Sequence, residues 1–298
     1  MSKQLRGSLI LLIASVIWGF AFVAQSEGMN SVGPFTFQAT RMILAFVVLC
    51  PAAAIIHGVR KKKGTVPHAF FTPKLIGSAV ISGIFLFIAA ALQQVGMLYT
   101  SVGHAGFLTA LYLLMVPILL GVFFKKKISP RIWVCVGIAL VGLWFLCMTS
   151  EGFSMGIGDL MMLGAALFFS FQIMSLDFLA KDFDGVQYSA IQMLTAGLLS
   201  LVCTFIFETP TVEGICAAAL PIAYAGIMSC GVAYTFQIIG QRDTPPTVAS
   251  IIMSLESVFA VLGGALLLSQ VPSTFEFIGC VLMLAATVIS QLANTEER

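Results

Sequence analysis

The run TPPTVASIIMSLESVFAVLGGALLLSQ, residues 244–270, places one carboxylate, Glu256, inside a stretch otherwise suited to lipid. It lies about ten residues after the paired prolines, and at roughly 1.5 Å per residue that is close to the middle of a hydrocarbon layer. A charge at that depth is costly. Ionisable groups there face a bundle interior or a watery cavity, and they often carry ions, protons or substrate.

Working outward, the composition sets the class. Of 298 residues, 59% are hydrophobic and 9% charged, whereas a water-soluble domain carries roughly 25% charged residues. The chain therefore reads as an all-α integral membrane protein. A net charge of +2 is too small to indicate nucleic acid as a partner. The seven cysteines are scattered with no CxxC or Cys/His spacing, which reads as small buried hydrophobes rather than a metal or redox site, and no cofactor is expected.

Apolar runs long enough to cross a bilayer recur ten times, near Gly7–Ala24, Pro34–Ile56, Leu75–Leu98, Ala105–Phe124, Ile132–Met148, Gly158–Leu179, Val186–Phe207, Ile215–Ile239, Thr247–Leu268 and Phe275–Leu292. Lys3 and Arg6 ahead of the first run give it the look of a signal peptide, but with so many spans following it is expected to be kept as the first helix. With the N-terminus inside, Arg60, Lys61, Lys62, Lys63, Lys74, Lys125, Lys126, Lys127, Arg131, Lys181, Arg242 and Arg298 all fall in cytoplasmic segments. The outer connectors hold only acids, among them Glu27, Glu151, Asp159, Glu208, Glu213 and Glu276. The positive-inside rule thus selects ten helices with both termini cytoplasmic.

Displacing the chain by 151 residues superimposes Gly7, Leu9, Leu12, Ala14 and Phe20 on Gly158, Leu160, Leu163, Ala165 and Phe171. A displacement of 143 superimposes Gly83, Gln94 and Gly121 on Gly226, Gln237 and Gly264. These identities are sparse. The odd number of spans per half weighs more, because five forces two copies into opposite orientations.

SVIWGFAFVAQ in the first span, PFTFQATRMILAF in the second, ALQQVGMLYTSVGHAGFLTALYLLMVPIL across the third and fourth, and SLESVFAVLGGALLLSQ in the ninth resemble the EamA family of the drug/metabolite transporter superfamily. The resemblance implies ten transmembrane helices as two inverted five-helix repeats, residues 1–150 and 151–298. It further implies a small-molecule solute moved through a central cavity bounded chiefly by helices 1, 3, 4, 6, 8 and 9. Two positions depart from the family pattern: Ser257 follows Glu256 where the family often has proline, and Lys127 and Gln270 stand where its halves often end in glutamate. The first departure predicts an unkinked ninth helix at Glu256.

Glu256 shares a face with Ala249, Ile252, Ala260 and Gly263. Its functional reading is a protonatable or solute-contacting carboxylate, which makes protons expected partners; its structural reading is a packed glutamate tying helix 9 to a neighbour. Ser250, Ser254 and Ser257 form a second stripe, read as packing because serines satisfy their own helix backbone. Arg41 lies about seven residues from the outer end of helix 2 and leans outward, so snorkelling to an interfacial role is expected. The alternative is a counter-charge for Glu256 or for an anionic solute. Asp177, with Lys181 one turn on, is expected to be a solvated pair, and His104 to be interfacial.

Gln94 and Gln237, equivalent under the second displacement, should both face inward, touching solute or tying helices. Trp18, Phe20, Phe22, Tyr112, Phe169, Gln172 and Tyr234 fall on the cavity helices of the resemblance, where each is either wall or ordinary bundle packing. Gly152–Gly156 matches GxSxG, but a nucleophile elbow needs a strand before it, and here it links two spans. Nothing matches a Walker loop or HExxH. The expected activity is secondary active transport, with export favoured, of small organic metabolites such as amino acids across the plasma membrane. The rivals are a membrane enzyme on a lipid-linked substrate and a non-transporting binding protein. The bilayer is the other expected partner, and a homodimer is compatible with this reading without being required by it.

Overall fold

The computed structural model describes residues 2–63, 70–100, 102–147, 156–268 and 273–296. Residues 152–155 of the GxSxG match and Gln270 lie outside these, as does the side chain of His104. Ten helical spans follow one another: α1 (Lys3–Met29), α2 (Pro34–Lys62), α3 (Pro73–Gly96), α4 (Val102–Ala110 and Tyr112–Phe124), α5 (Pro130–Cys147), α6 (Ile157–Leu179), α7 (Gly185–Phe207), α8 (Val212–Ala217 through to Tyr234–Gln241), α9 (Pro246–Met253 and Glu256–Leu268) and α10 (Thr274–Glu296). Among the described residues, nine are long and apolar enough to cross a membrane, and α5 has a shorter apolar stretch.

The polarity is inside out. Phe205 is 70% exposed, Leu220 80% and Val122 67%, whereas Gln38, Gln94, Ser82 and Ser170 are fully buried. Lipid as solvent demands this arrangement, since hydrocarbon cannot satisfy an amide or hydroxyl. The molecule is an all-α, multi-pass membrane protein.

Helix starts follow local chemistry. Proline opens α2, α3, α5 and α9, where its fixed φ and missing N–H cost nothing. Asp184 caps α7 by accepting from Val186 N and Gln187 N. Gly33 precedes α2 and has no side chain to do the same. Its place is taken by Glu208 at the end of α7, whose carboxylate accepts from Phe35 N (2.7 Å), Thr36 N (2.8 Å) and Thr36 Oγ1 (2.6 Å). A Cβ at position 33 would lie 2.3 Å from the Glu208 Cδ, so the glycine makes room for the borrowed cap. At the other end of the same helix pair, Arg60 of α2 is ion-paired with Asp184.

The start of α2 therefore meets the end of α7 and the reverse, so the two run antiparallel. Other pairs behave alike. Gly7 of α1 abuts Gly240 of α8 while the Tyr224 hydroxyl donates to Ile17 O. Gly96 of α3 abuts Gly158 of α6 while Ser82 bonds Ser175. Gly142 of α5 abuts Gly279 of α10 while Phe145 stacks on Phe275. Each pair joins a helix from the first half of the chain to one from the second.

The ninth span is not continuous, contrary to expectation. Its helix breaks at Ser254 and Leu255, and Glu256 opens the second segment. The Ser254 hydroxyl donates to Ile251 O (2.8 Å), and Leu255 N and Ser257 N bond three residues back rather than four. The serine competes with the backbone ladder and tightens it into a turn without any proline. The fourth span breaks in the same manner at Leu111, with Leu111 N bonded to Leu108 O and Leu114 N to Leu111 O. The eighth span includes a π-helical stretch, Tyr224–Ala233.

The small face of α9 does receive another backbone. Gly19 of α1 lies so close that an added Cβ would sit 2.4 Å from Phe259 Cβ and 2.8 Å from Ala260 N, and Phe20 covers Gly263. Because the atoms in the way include main chain, Gly19→Ala is expected to lower stability by about 1–3 kcal/mol. Gly77→Ala, where nothing lies within 4 Å, should leave stability unchanged or raise it by about 0.5–1 kcal/mol. Unfolding in detergent, followed for both variants, checks the contrast.

Candidate functional site

The two broken helices, α4 and α9, meet at their breaks. Tyr112 begins the second segment of α4, Glu256 the second segment of α9, and the Tyr112 hydroxyl donates to Glu256 Oε1 at 3.2 Å. Glu256 stands in the first turn of the second segment of α9, the end of a helix at which the dipole favours negative charge. Glu256 is 8% exposed. Among the described residues no cation reaches it within ion-pair distance.

Around this bond lies a narrow cavity of about 50 Å³. Trp18, Phe22, Tyr112, Phe169, Gln172, Tyr234, Gln237, Glu256 and Arg41, all singled out from the sequence, line it. Trp18 and Tyr234 make an edge-on aromatic wall with centroids 4.9 Å apart. Gln172 and Gln237 exchange amide bonds of 3.3 and 3.1 Å, each giving Nε2 to the other's Oε1. That closes α6 against α8 on the cavity floor.

Of the two readings of Gln94 the structure brings out the helix-tying one, and two other expectations change. Gln94 is buried but does not line the cavity; its Oε1 accepts from Arg41 Nη2 (3.3 Å) and its Nε2 donates to Met29 Sδ. Arg41 does not snorkel. It is 4% exposed and lies over the Phe37 ring at 5.5 Å, because Gln94 and the aromatic face hold the guanidinium inside the bundle. Asp177 is not solvated either: at 5% side-chain exposure it is bridged by Lys181 (2.5 Å) and by Lys126 (3.7 Å), which arrives from just beyond the end of α4.

The cavity also draws on Gln25, Gln93, Thr109, Ile173, Ser229 and Met253. Gln25 was findable, since it falls one and two turns beyond Phe22 and Trp18 on the same face of α1. Ser229 was not, because it sits in the π-helical stretch, where ordinary helical spacing fails. Three buried polar atoms of the lining have no hydrogen-bond partner: Trp18 Nε1, Gln25 Oε1 and Arg41 Nε. Unpaired groups of this kind are costly in a packed interior.

Comparison with known proteins accords with this geometry. The model of the EamA-like transporter family matches residues 5–148 and again 156–291. An uncharacterized transporter of Archaeoglobus fulgidus is 29% identical over 291 residues, covering 97% of this chain and 87% of the relative. A chloroplastic WAT1-related protein of Arabidopsis thaliana is 25% identical over 288 residues, covering 93% and 67% respectively. The uncharacterized transporter YwfM of Bacillus subtilis is 23% identical over 299 residues, covering 98% and 95%. A crystal structure superimposes with a TM-score of 0.80 at 19% identity, over 97% of this chain and 99% of the other, which shows the shared fold.

The amide pair on the cavity floor yields a double-mutant test. Gln172→Leu leaves the Gln237 amide without its reciprocal partner and is expected to cost about 1–3 kcal/mol. Adding Gln237→Leu should recover part of that loss rather than double it. Denaturation of the three variants in detergent measures the coupling, and strict additivity would mean that the two amides act separately.

Proposed function

The chain belongs to the EamA-like transporter family, and from that premise we propose that it is a secondary active transporter exporting small organic metabolites, such as amino acids, across the plasma membrane. The observation that carries this reading is the Tyr112–Glu256 bond, which joins the broken midsections of α4 and α9 at the wall of a central cavity. Breaks supply the local freedom that alternating access needs, and an ionisable group bonded between them supports coupling its protonation to that movement.

Two five-helix units, residues 1–150 and 151–298, rock against each other in this mechanism. The antiparallel pairing of α1 with α8, α2 with α7, α3 with α6 and α5 with α10 supports their inversion. The lysine and arginine distribution supports cytoplasmic termini. Proton binding at Glu256 removes the charge that Tyr112 stabilises, loosens the α4–α9 junction and shifts the balance between inward- and outward-open states. A ligand can shift that balance only by its differential affinity for the two. The other titratable or charged groups lining the same cavity are Tyr112 from α4, Tyr234 from α8 and Arg41 from α2.

In proteoliposomes, counterflow of a labelled metabolite should be seen with the wild type and should vary with pH. Glu256→Gln should transport with that pH dependence lost. Retained pH dependence would remove Glu256 as the coupling group, and absence of counterflow across a broad metabolite panel would overturn the transporter reading itself.

A further inference from the structure

The guanidinium of Arg41 is the cation of the cavity wall that lacks an acid. It is 4% exposed, its Nε has no hydrogen-bond partner, and no carboxylate of the described residues lies within ion-pair distance. Its contacts are neutral: Gln94 Oε1 accepts from Nη2 at 3.3 Å, and the Phe37 ring lies 5.5 Å from Cζ. A buried charge held by one amide and one aromatic face leaves most of its desolvation uncompensated. Neutral partners fix where the guanidinium points without neutralising it, which is how a recognition group differs from half of a structural salt bridge.

We infer that Arg41 is the recognition point for an organic carboxylate, so that the solute taken by this cavity is a small carboxylic acid or amino acid bound with its acid group toward α2. The inference rests on the proposed function in treating the cavity as a solute chamber. The planar guanidinium matches a carboxylate through paired N–H bonds, which an ammonium cannot offer. Gln94 acts as a positioning residue, anchoring Nη2 from behind the wall. The carboxylate of Glu256 lines the same cavity from α9, so the chamber carries opposite charges on different walls. A solute with acid at one end only, or with acid and amine, satisfies Arg41; a simple amine does not.

The test uses the full-length protein purified in detergent and three probes sharing one isobutyl group: L-leucine, 4-methylpentanoate and 3-methylbutylamine, with 3-methylbutyl phosphate as a fourth. Thermal shift and competition between probes are read on the wild type. Both carboxylates should raise the melting temperature and compete with each other, and the amine and the phosphate ester should do neither. Equal stabilisation by the amine, or stabilisation by the phosphate ester alone, would overturn the inference. Arg41→Lys, which keeps the charge without the fork, should weaken carboxylate competition roughly 30-fold or more. An unchanged affinity in that variant would also sink it, and because the wild-type probes discriminate alone, a poorly folding variant does not blunt the test. Failure of the coupling proposal reads differently: proteoliposome flux would keep its pH dependence in Glu256→Gln while the carboxylate preference stayed intact.

Discussion

Hydrocarbon offers no hydrogen bonds, and the architecture answers that one constraint. Glu256, Arg41, Gln94, Gln172 and Gln237 cannot face lipid, so the helices that carry them must turn them toward one another. Once these groups share an interior, the outer surface is left to residues such as Phe205 and Leu220. The central cavity is the space where polar side chains from seven different helices converge without fully pairing.

The helix breaks belong to the same balance. Continuous helices through α4 and α9 would satisfy every backbone group but leave no local freedom at the middle of the membrane. The turns at Leu111 and at Ser254–Leu255 keep backbone bonds in the tighter three-residue form, so the interruption is mild. In exchange, two new helix starts open beside Tyr112 and Glu256. The related pattern often has proline at the position of Ser257; here the break lies just before Glu256 instead, where Ser254 donates to the backbone carbonyl of Ile251.

Much of this was legible in the sequence wherever the energy at stake was large and local. Ten apolar runs and a near absence of charge require a helical bundle in lipid, and Glu256 stood out because its cost is visible in a single residue. Trp18, Phe22, Tyr112, Phe169, Gln172, Tyr234 and Gln237 could be placed on helices that turn out to share a wall. What escaped depended on partners far along the chain or on small local competitions. Arg41 looked free to snorkel until Gln94, 53 residues on, and the Phe37 face held it inside. Asp177 looked solvated because Lys126 comes from a distant connector, just beyond the end of α4. The break at Ser254 depends on a choice between rival acceptors, and the π-helical stretch of α8 shifts the facing of Ser229 away from the usual helical spacing.

The borrowed cap at α2 has a mechanical consequence. Glu208 fastens α7 to one end of α2, and Arg60 with Asp184 fastens the pair again at the opposite end. A couple riveted at both extremities cannot slide lengthwise without breaking charged bonds at two places at once, yet it can still twist about its own long direction. The α2–α7 couple is thereby stiff along its length and keeps freedom only in rotation.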